Sequence, residues 1–177
     1  MSYTDSLQDT LQALQFEEDG VRALQNNGDA VTYGIITAII AGLATAIGTL
    51  NPLGIITNPI SYLIGLAIGS GITHLFAKLF GGQGSYRDIF AVMSNATLAY
   101  WVAVIPVLGW FLSILVGLYM IAFSVYAIMT VYDLSVVKSI LVLILPGILV
   151  AIVIGALLFL FVGSLVGSLG LGLLSAA

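Results

Sequence analysis

Few residues in this sequence are of types that do chemistry, and their spacing argues against catalysis. His74 is the single histidine, and it lies one turn before Lys78. It has no cluster of Asp or Glu beside it, and the chain has no Cys at all. A metal site of ordinary ligand count, a thiolate nucleophile and a disulfide framework are therefore excluded. Ser and Thr are scattered without a base, and no carboxylate is placed to orient His74 as a triad requires. His74 is read as an interfacial or packing histidine, and the expectation is no catalytic residue, no metal and no cofactor.

Two further features invite a chemical reading. Gly81-Gly82-Gln83-Gly84-Ser85 has the glycines of a phosphate loop but lacks the Lys-Ser/Thr ending and a preceding strand, so it reads as a flexible connection. Asn95 and Thr97 are the most polar positions of their apolar stretch, where they either line a cavity or bond between helices. Tyr86, Arg87 and Asp88, with Asp133 and Lys138, form small polar and opposite-charge features that read as solvated surface or as contacts for a protein partner.

The elements that position these residues follow from the charges. The 177 residues carry 4 Lys+Arg and 8 Asp+Glu, are 60% hydrophobic and only 7% charged, and have a mean hydropathy of +1.18. A soluble domain of this size exposes far more polar surface, and the net charge of −4 opposes nucleic-acid binding. Residues 30–77, 89–132 and 139–177 contain no Lys, Arg, Asp or Glu. About 20 apolar residues cross the bilayer, so the expectation is an all-α polytopic membrane protein with five transmembrane helices at 31–50, 59–79, 89–106, 108–131 and 139–162. Asn51-Pro52, with Asn58 as cap and Pro59 in the first turn, and Ile105-Pro106 with Gly109, mark the tight connections. Pro146 falls inside the fifth helix and predicts a kink. The tail 163–177 is read as an extension of that helix or an interfacial segment.

Arg22, Lys78, Arg87 and Lys138 share one side of a five-span chain, and so do all eight acidic residues. The positive-inside rule then places the N-terminus in the cytoplasm and the C-terminus outside a cell membrane. Tyr33 and Tyr132 fit an aromatic belt at the inner boundary, and Tyr62 and Trp110 at the outer one. Residues 1–29 form an acidic cytoplasmic segment, with Leu7, Leu11 and Leu14 on one face of an amphipathic helix until Gly20 interrupts it. Residues 30–177 form the membrane domain.

Small residues recur every four positions: Ser61, Gly65, Gly69, Thr73 and Ala77 on the second span, and Ala38, Gly42 and Ala46 on the first. Such rows let helix backbones approach closely. The second span has the longest row and is expected at the bundle centre, with Gly65, Gly69 and Thr73 packing helices. A homo-oligomer is compatible with the same rows.

Gly82-x-Gly84-Ser85-Tyr86, Ile105-Pro106 with Gly109-Trp110, and Leu134-Ser135-x-x-Lys138-Ser139 leading to Leu145-Pro146 form a pattern across most of the membrane region. By these residues the chain resembles the Yip (Ypt-interacting protein) domain family, with Ser139 where many members have Ala. The resemblance implies five helices and a cytoplasmic N-terminus. In eukaryotic members it implies vesicle traffic between endoplasmic reticulum and Golgi and binding of prenylated Rab-type GTPases, by proteins with a much longer N-terminal region. The compact form looks like the family's bacterial and archaeal members. The function expected is a non-enzymatic membrane-organising or trafficking scaffold that contacts membrane lipids and binds partners at its cytoplasmic face. The alternative is a small transporter or channel for lipid or an uncharged solute.

Overall fold

The computed structural model of the chain describes residues 2–106 and 108–174; the side chains of 110, 160 and 162–174 lie outside the description, and with them the expected belt position of Trp110. All regular structure among the described residues is helical: α1 (Tyr3–Leu14), α2 (Glu18–Asn26), α3 (Ala30–Gly48), α4 (Gly54–Leu79), α5 (Tyr86–Ala96), a 3-10 helix (Thr97–Val104), α6 (Leu108–Tyr132) and α7 (Val136–Leu174). The chain divides into two compact units, Met1–Leu143 and Ile144–Ala177. The second is the continuation of α7, with Pro146 inside the helix and the described part of the tail helical to Leu174.

Among the described residues four helices are long and apolar enough to cross a membrane: Ala30–Gly48, Gly54–Leu79, Phe111–Tyr132 and Val136–Phe159. The third of the five expected spans, 89–106, is not one of them, because it breaks into α5 and the 3-10 helix. The polar residues at the break explain it. Asn95 Nδ2 donates to Ala91 O at 2.8 Å, Ser94 Oγ to Ala91 O at 3.2 Å and Thr97 Oγ1 to Ser94 O at 2.6 Å. Side chains that bond to nearby carbonyls compete with the i→i−4 ladder, and the backbone tightens.

The expected centre of the bundle is also corrected. The buried share of the membrane-length window is 44% for α3 and 11% for α4. Gly65 and Gly69 are exposed and have nothing within 4 Å of an added Cβ, and Thr73 is half-buried. The buried small row is that of α3, where Ala38, Gly42 and Ala46 all face neighbours. A Cβ on Gly42 would collide with the backbone of Pro59, and one on Gly48 with the carbonyl of Ala103. The starting point of α4 differs from expectation as well. It begins at Gly54, so Pro59 lies inside the helix rather than in its first turn after an Asn58 cap.

The N-terminal segment is a helical hairpin rather than one helix. Ser2 Oγ accepts from Asp5 N at 3.2 Å while Asp5 Oδ2 accepts from Ser2 N at 2.8 Å, a capping box that starts α1. Phe16, with φ of 63°, turns the chain into α2. Gly20 lies inside α2 and does not interrupt α1, which has already ended; a Cβ at this position would strike the backbone of Ala13 and Asp9. The apolar core gathers where this hairpin meets α5 and α6, around Val21, Leu24, Ile89, Val92, Phe123 and Val131.

Candidate functional site

Charged residues collect at one end of the Met1–Leu143 unit, where the α1–α2 hairpin, the turn between α4 and α5 and the turn between α6 and α7 meet. Arg22 on α2 links the first of these to the last. Its Nη2 donates to Asp133 Oδ1 at 2.7 Å and its Nε to Glu18 Oε1 at 3.2 Å. Asp133, more than Glu18, raises the guanidinium above its already high range, so Arg22 is a fixed cation. Arg87, at the start of α5, reaches the end of α2: it donates to Gln25 O at 3.3 Å, Asn27 O at 2.8 Å and Gly28 O at 2.9 Å.

The glycine run has a structural use that its sequence did not announce. Gly81 has φ of +85°, and Cβ atoms on Gly82 and Gly84 would press into Tyr132 and Val131 at the end of α6. Gln83 N donates to Tyr132 O at 3.0 Å, which holds the turn on α6. Ser85 then opens α5 through a second capping box with Asp88 (Ser85 N to Asp88 Oδ2, 3.0 Å; Asp88 N to Ser85 Oγ, 3.2 Å). Lys78 donates to Gly82 O and Gln83 O, and Lys138 to Phe80 O.

His74, on α4, meets Tyr86 of α5 and Tyr132 of α6. His74 Nδ1 and the Tyr132 hydroxyl are hydrogen-bonded at 3.0 Å, and the same hydroxyl lies 3.4 Å from Ser85 O. Tyr86 meets the His74 ring edge-on with centroids 6.3 Å apart, and its hydroxyl donates to Ala67 O at 3.3 Å. The histidine thus has the geometry of a helix-joining residue. Among the described residues no three of His, Asp and Glu group as a metal would need.

Beneath α1 lies a buried polar cluster. Asn95 is fully buried and donates to Ala30 O and Ala91 O at 2.8 Å each, while Ser6 Oγ donates to its Oδ1 at 3.4 Å. Thr37 Oγ1 donates to Tyr33 O at 2.9 Å, so Tyr3 O–H is the donor to Thr37 at 3.1 Å. Trp101 Nε1 donates to Thr37 O at 3.2 Å. Of the two alternatives for Asn95, the geometry is that of a bond between helices. The inner face of α1 is therefore Ser6, Thr10 and Ala13; Leu11, on the leucine face, is 50% exposed.

The carboxylates of α1 differ in environment. Hydrogen bonds from Ser2 hold Asp5 below the usual carboxylate range. Burial, with Asp5 nearby, pushes Asp9 above it, and Asp9 Oδ2 is buried without a hydrogen-bond partner among the described residues.

Of the five residues expected to contact a partner, each already has an internal role: Tyr86 against His74, Arg87 on the carbonyls of α2, Asp88 in the cap, Asp133 on Arg22 and Lys138 on Phe80 O. Sequence reasoning missed Arg22, whose partner lies 111 positions away. It also missed the Ser85-x-x-Asp88 box, which the spacing alone was able to signal.

In comparison with known proteins, the family model described as the Yip1 domain matches residues 19–158. No curated protein and no solved structure matches the chain.

Proposed function

Because the chain belongs to the Yip1 domain family, a family of membrane proteins, we propose that it is a non-enzymatic membrane scaffold whose charged end faces the cytoplasm and binds partner proteins. The observation that carries this reading is the docking of the α1–α2 hairpin across the charged end by Arg22 and Arg87, which makes one surface from three separate segments. Tyr86, Arg87, Asp88, Asp133 and Lys138 lie on or beside that surface, and α1 turns Leu11 outward from it. In this reading α5 and the 3-10 helix make a fifth crossing. Arg87 meets Gly28 before α3, and Ala103 meets Gly48 at its far end, so the broken segment accompanies α3 throughout. Its 11 α-helical and 8 3-10 residues rise about 32 Å together, enough for a ~30 Å hydrocarbon core. Five crossings put the N-terminus and all charged connections on one side and the C-terminus on the other.

Crosslinking in the native membrane with and without residues 1–29, followed by mass spectrometry, tests the scaffold. A protein partner captured reproducibly and lost on the deletion is expected; crosslinks to self and lipid alone, unchanged by the deletion, would defeat it. Cysteine labelling at position 2 and at position 50 tests the orientation, with only the first expected to react from the cytoplasm.

The broken helix favours a second reading. Interrupted membrane helices mark transport sites in many carriers, and this break carries the buried residues Ser94, Asn95 and Thr97. A transporter or channel for lipid or an uncharged solute predicts flux into liposomes above the empty-vesicle background, abolished by Asn95→Leu.

A further inference from the structure

Lys78 and Lys138 come from different helices, α4 and α7, and converge on the short turn that leaves α4. Lys78 Nζ donates to Gly82 O at 3.1 Å and Gln83 O at 3.3 Å, and Lys138 Nζ donates to Phe80 O at 3.1 Å. Carbonyl oxygens fix where an ammonium sits without cancelling its charge. Each ammonium has three N–H donors, so Lys78 retains one and Lys138 two for another acceptor. Among the described residues neither lysine forms an ion pair, whereas Arg22 is paired with Glu18 and Asp133, and Arg87 lies 3.9 Å from Asp88. Two uncompensated positive charges are thus held on a single turn.

The surroundings identify what would neutralise them. Leu75 and Leu79 on α4 are 65% and 78% exposed, and Val137 on α7 is 68% exposed. Both lysines lie at the ends of helices long and apolar enough to cross a membrane, so these side chains face acyl chains and the ammonium groups sit at headgroup level. A neutral headgroup leaves the two charges unbalanced, while a phosphate with net negative charge supplies oxygens for the remaining N–H donors.

We propose that Lys78 and Lys138 form a binding site for the phosphate of an anionic phospholipid, whose acyl chains lie along Leu75, Leu79 and Val137. The site depends on the chain being in a membrane and not on any protein partner, so its failure and that of the scaffold reading are separate results.

The test is thermal melting of the purified full chain in neutral detergent while phosphatidylglycerol, phosphatidylcholine or inorganic phosphate is added. Phosphatidylglycerol is expected to raise the Tm, with phosphatidylcholine and inorganic phosphate giving no comparable rise. Each lysine is worth roughly fivefold in lipid affinity, so K78Q/K138Q should need about 25-fold more phosphatidylglycerol for the half-maximal shift, and K78R/K138R should restore it. If the double variant does not purify, K138Q alone should show the shift of about fivefold. An unchanged midpoint in the Gln variants, or an equal rise with phosphatidylcholine, overturns the site. An equal rise with inorganic phosphate shows a free-anion site and overturns the lipid.

Discussion

Helices α3 and α4 are both apolar, membrane-length and marked by small residues four apart, yet they occupy opposite situations. The row Ala38, Gly42 and Ala46 on α3 is buried, with Gly42 and Ala46 against α4, while Gly34 and Gly48 of the same helix meet α5 and the 3-10 helix. The row Ser61, Gly65 and Gly69 on α4 is exposed, beside Ile60, Ile64 and Ile68 at 52%, 54% and 59% exposure. Small residues permit a close approach; they do not specify which helix makes it. The longer row belongs to the more peripheral helix, and what distinguishes α3 is neighbours on several sides.

The largest expected effect is Gly42→Leu. The new side chain meets the backbone of Pro59, which cannot swing aside as a side chain would, so a loss of about 3 kcal/mol or failure to assemble is expected in detergent melting. Its counterpart Gly69→Leu enters empty space and removes a helix-interior glycine, so the Tm should hold or rise slightly. A large loss from Gly69→Leu would break the comparison by showing that α4 packs against a second copy.

Asn95→Leu should follow in size. It removes the donor to Ala30 O at the start of α3 and an acceptor for Ser6 of α1, in a fully buried position, at a cost of about 1–3 kcal/mol. The same variant tests whether transport depends on the break, so melting and flux should be measured together.

At the charged end the effects are smaller and concern docking of the hairpin. Arg87→Ala leaves three carbonyls without their donor, whereas Arg22→Ala breaks an exposed pair worth at most ~1 kcal/mol. Limited proteolysis within residues 1–29 should therefore quicken more for Arg87→Ala than for Arg22→Ala. The reverse order would transfer the main fastening of the hairpin to Asp133.

The smallest effect is on pH dependence. Burial raises the Asp9 pKa in the docked hairpin, so docking is favoured at low pH and that favour is lost as pH rises through the raised value, above 3.8. Asp5 behaves oppositely: its lowered pKa contributes stability that is present above 3.8 and lost below it. Protease resistance of the hairpin should therefore increase on mild acidification in the native chain, and Asp9→Asn should flatten that increase. An Asp9→Asn variant with the native pH profile would show that the carboxyl is not the group responsible.

Much of this was legible in the residues. Long stretches without charge announced a membrane protein, because an ionised side chain in hydrocarbon is costly wherever the helix packs. The gathering of Arg22, Arg87, Asp133 and Lys138 at one end followed from the same argument, since charges are confined to the helix ends. Pro146 within a helix and the Ser85-x-x-Asp88 cap are local features that need only neighbouring positions. What the tertiary structure alone decided is which apolar face meets protein and which meets lipid, because both environments are apolar and the pattern of hydrophobicity does not separate them. Two further facts come only from the folded chain: the burial of Ser6 and Thr10 on α1 while Leu11 is left exposed, and the reach of Arg22 to Asp133. Each depends on groups brought together from distant parts of the chain, and no local spacing encodes such a meeting.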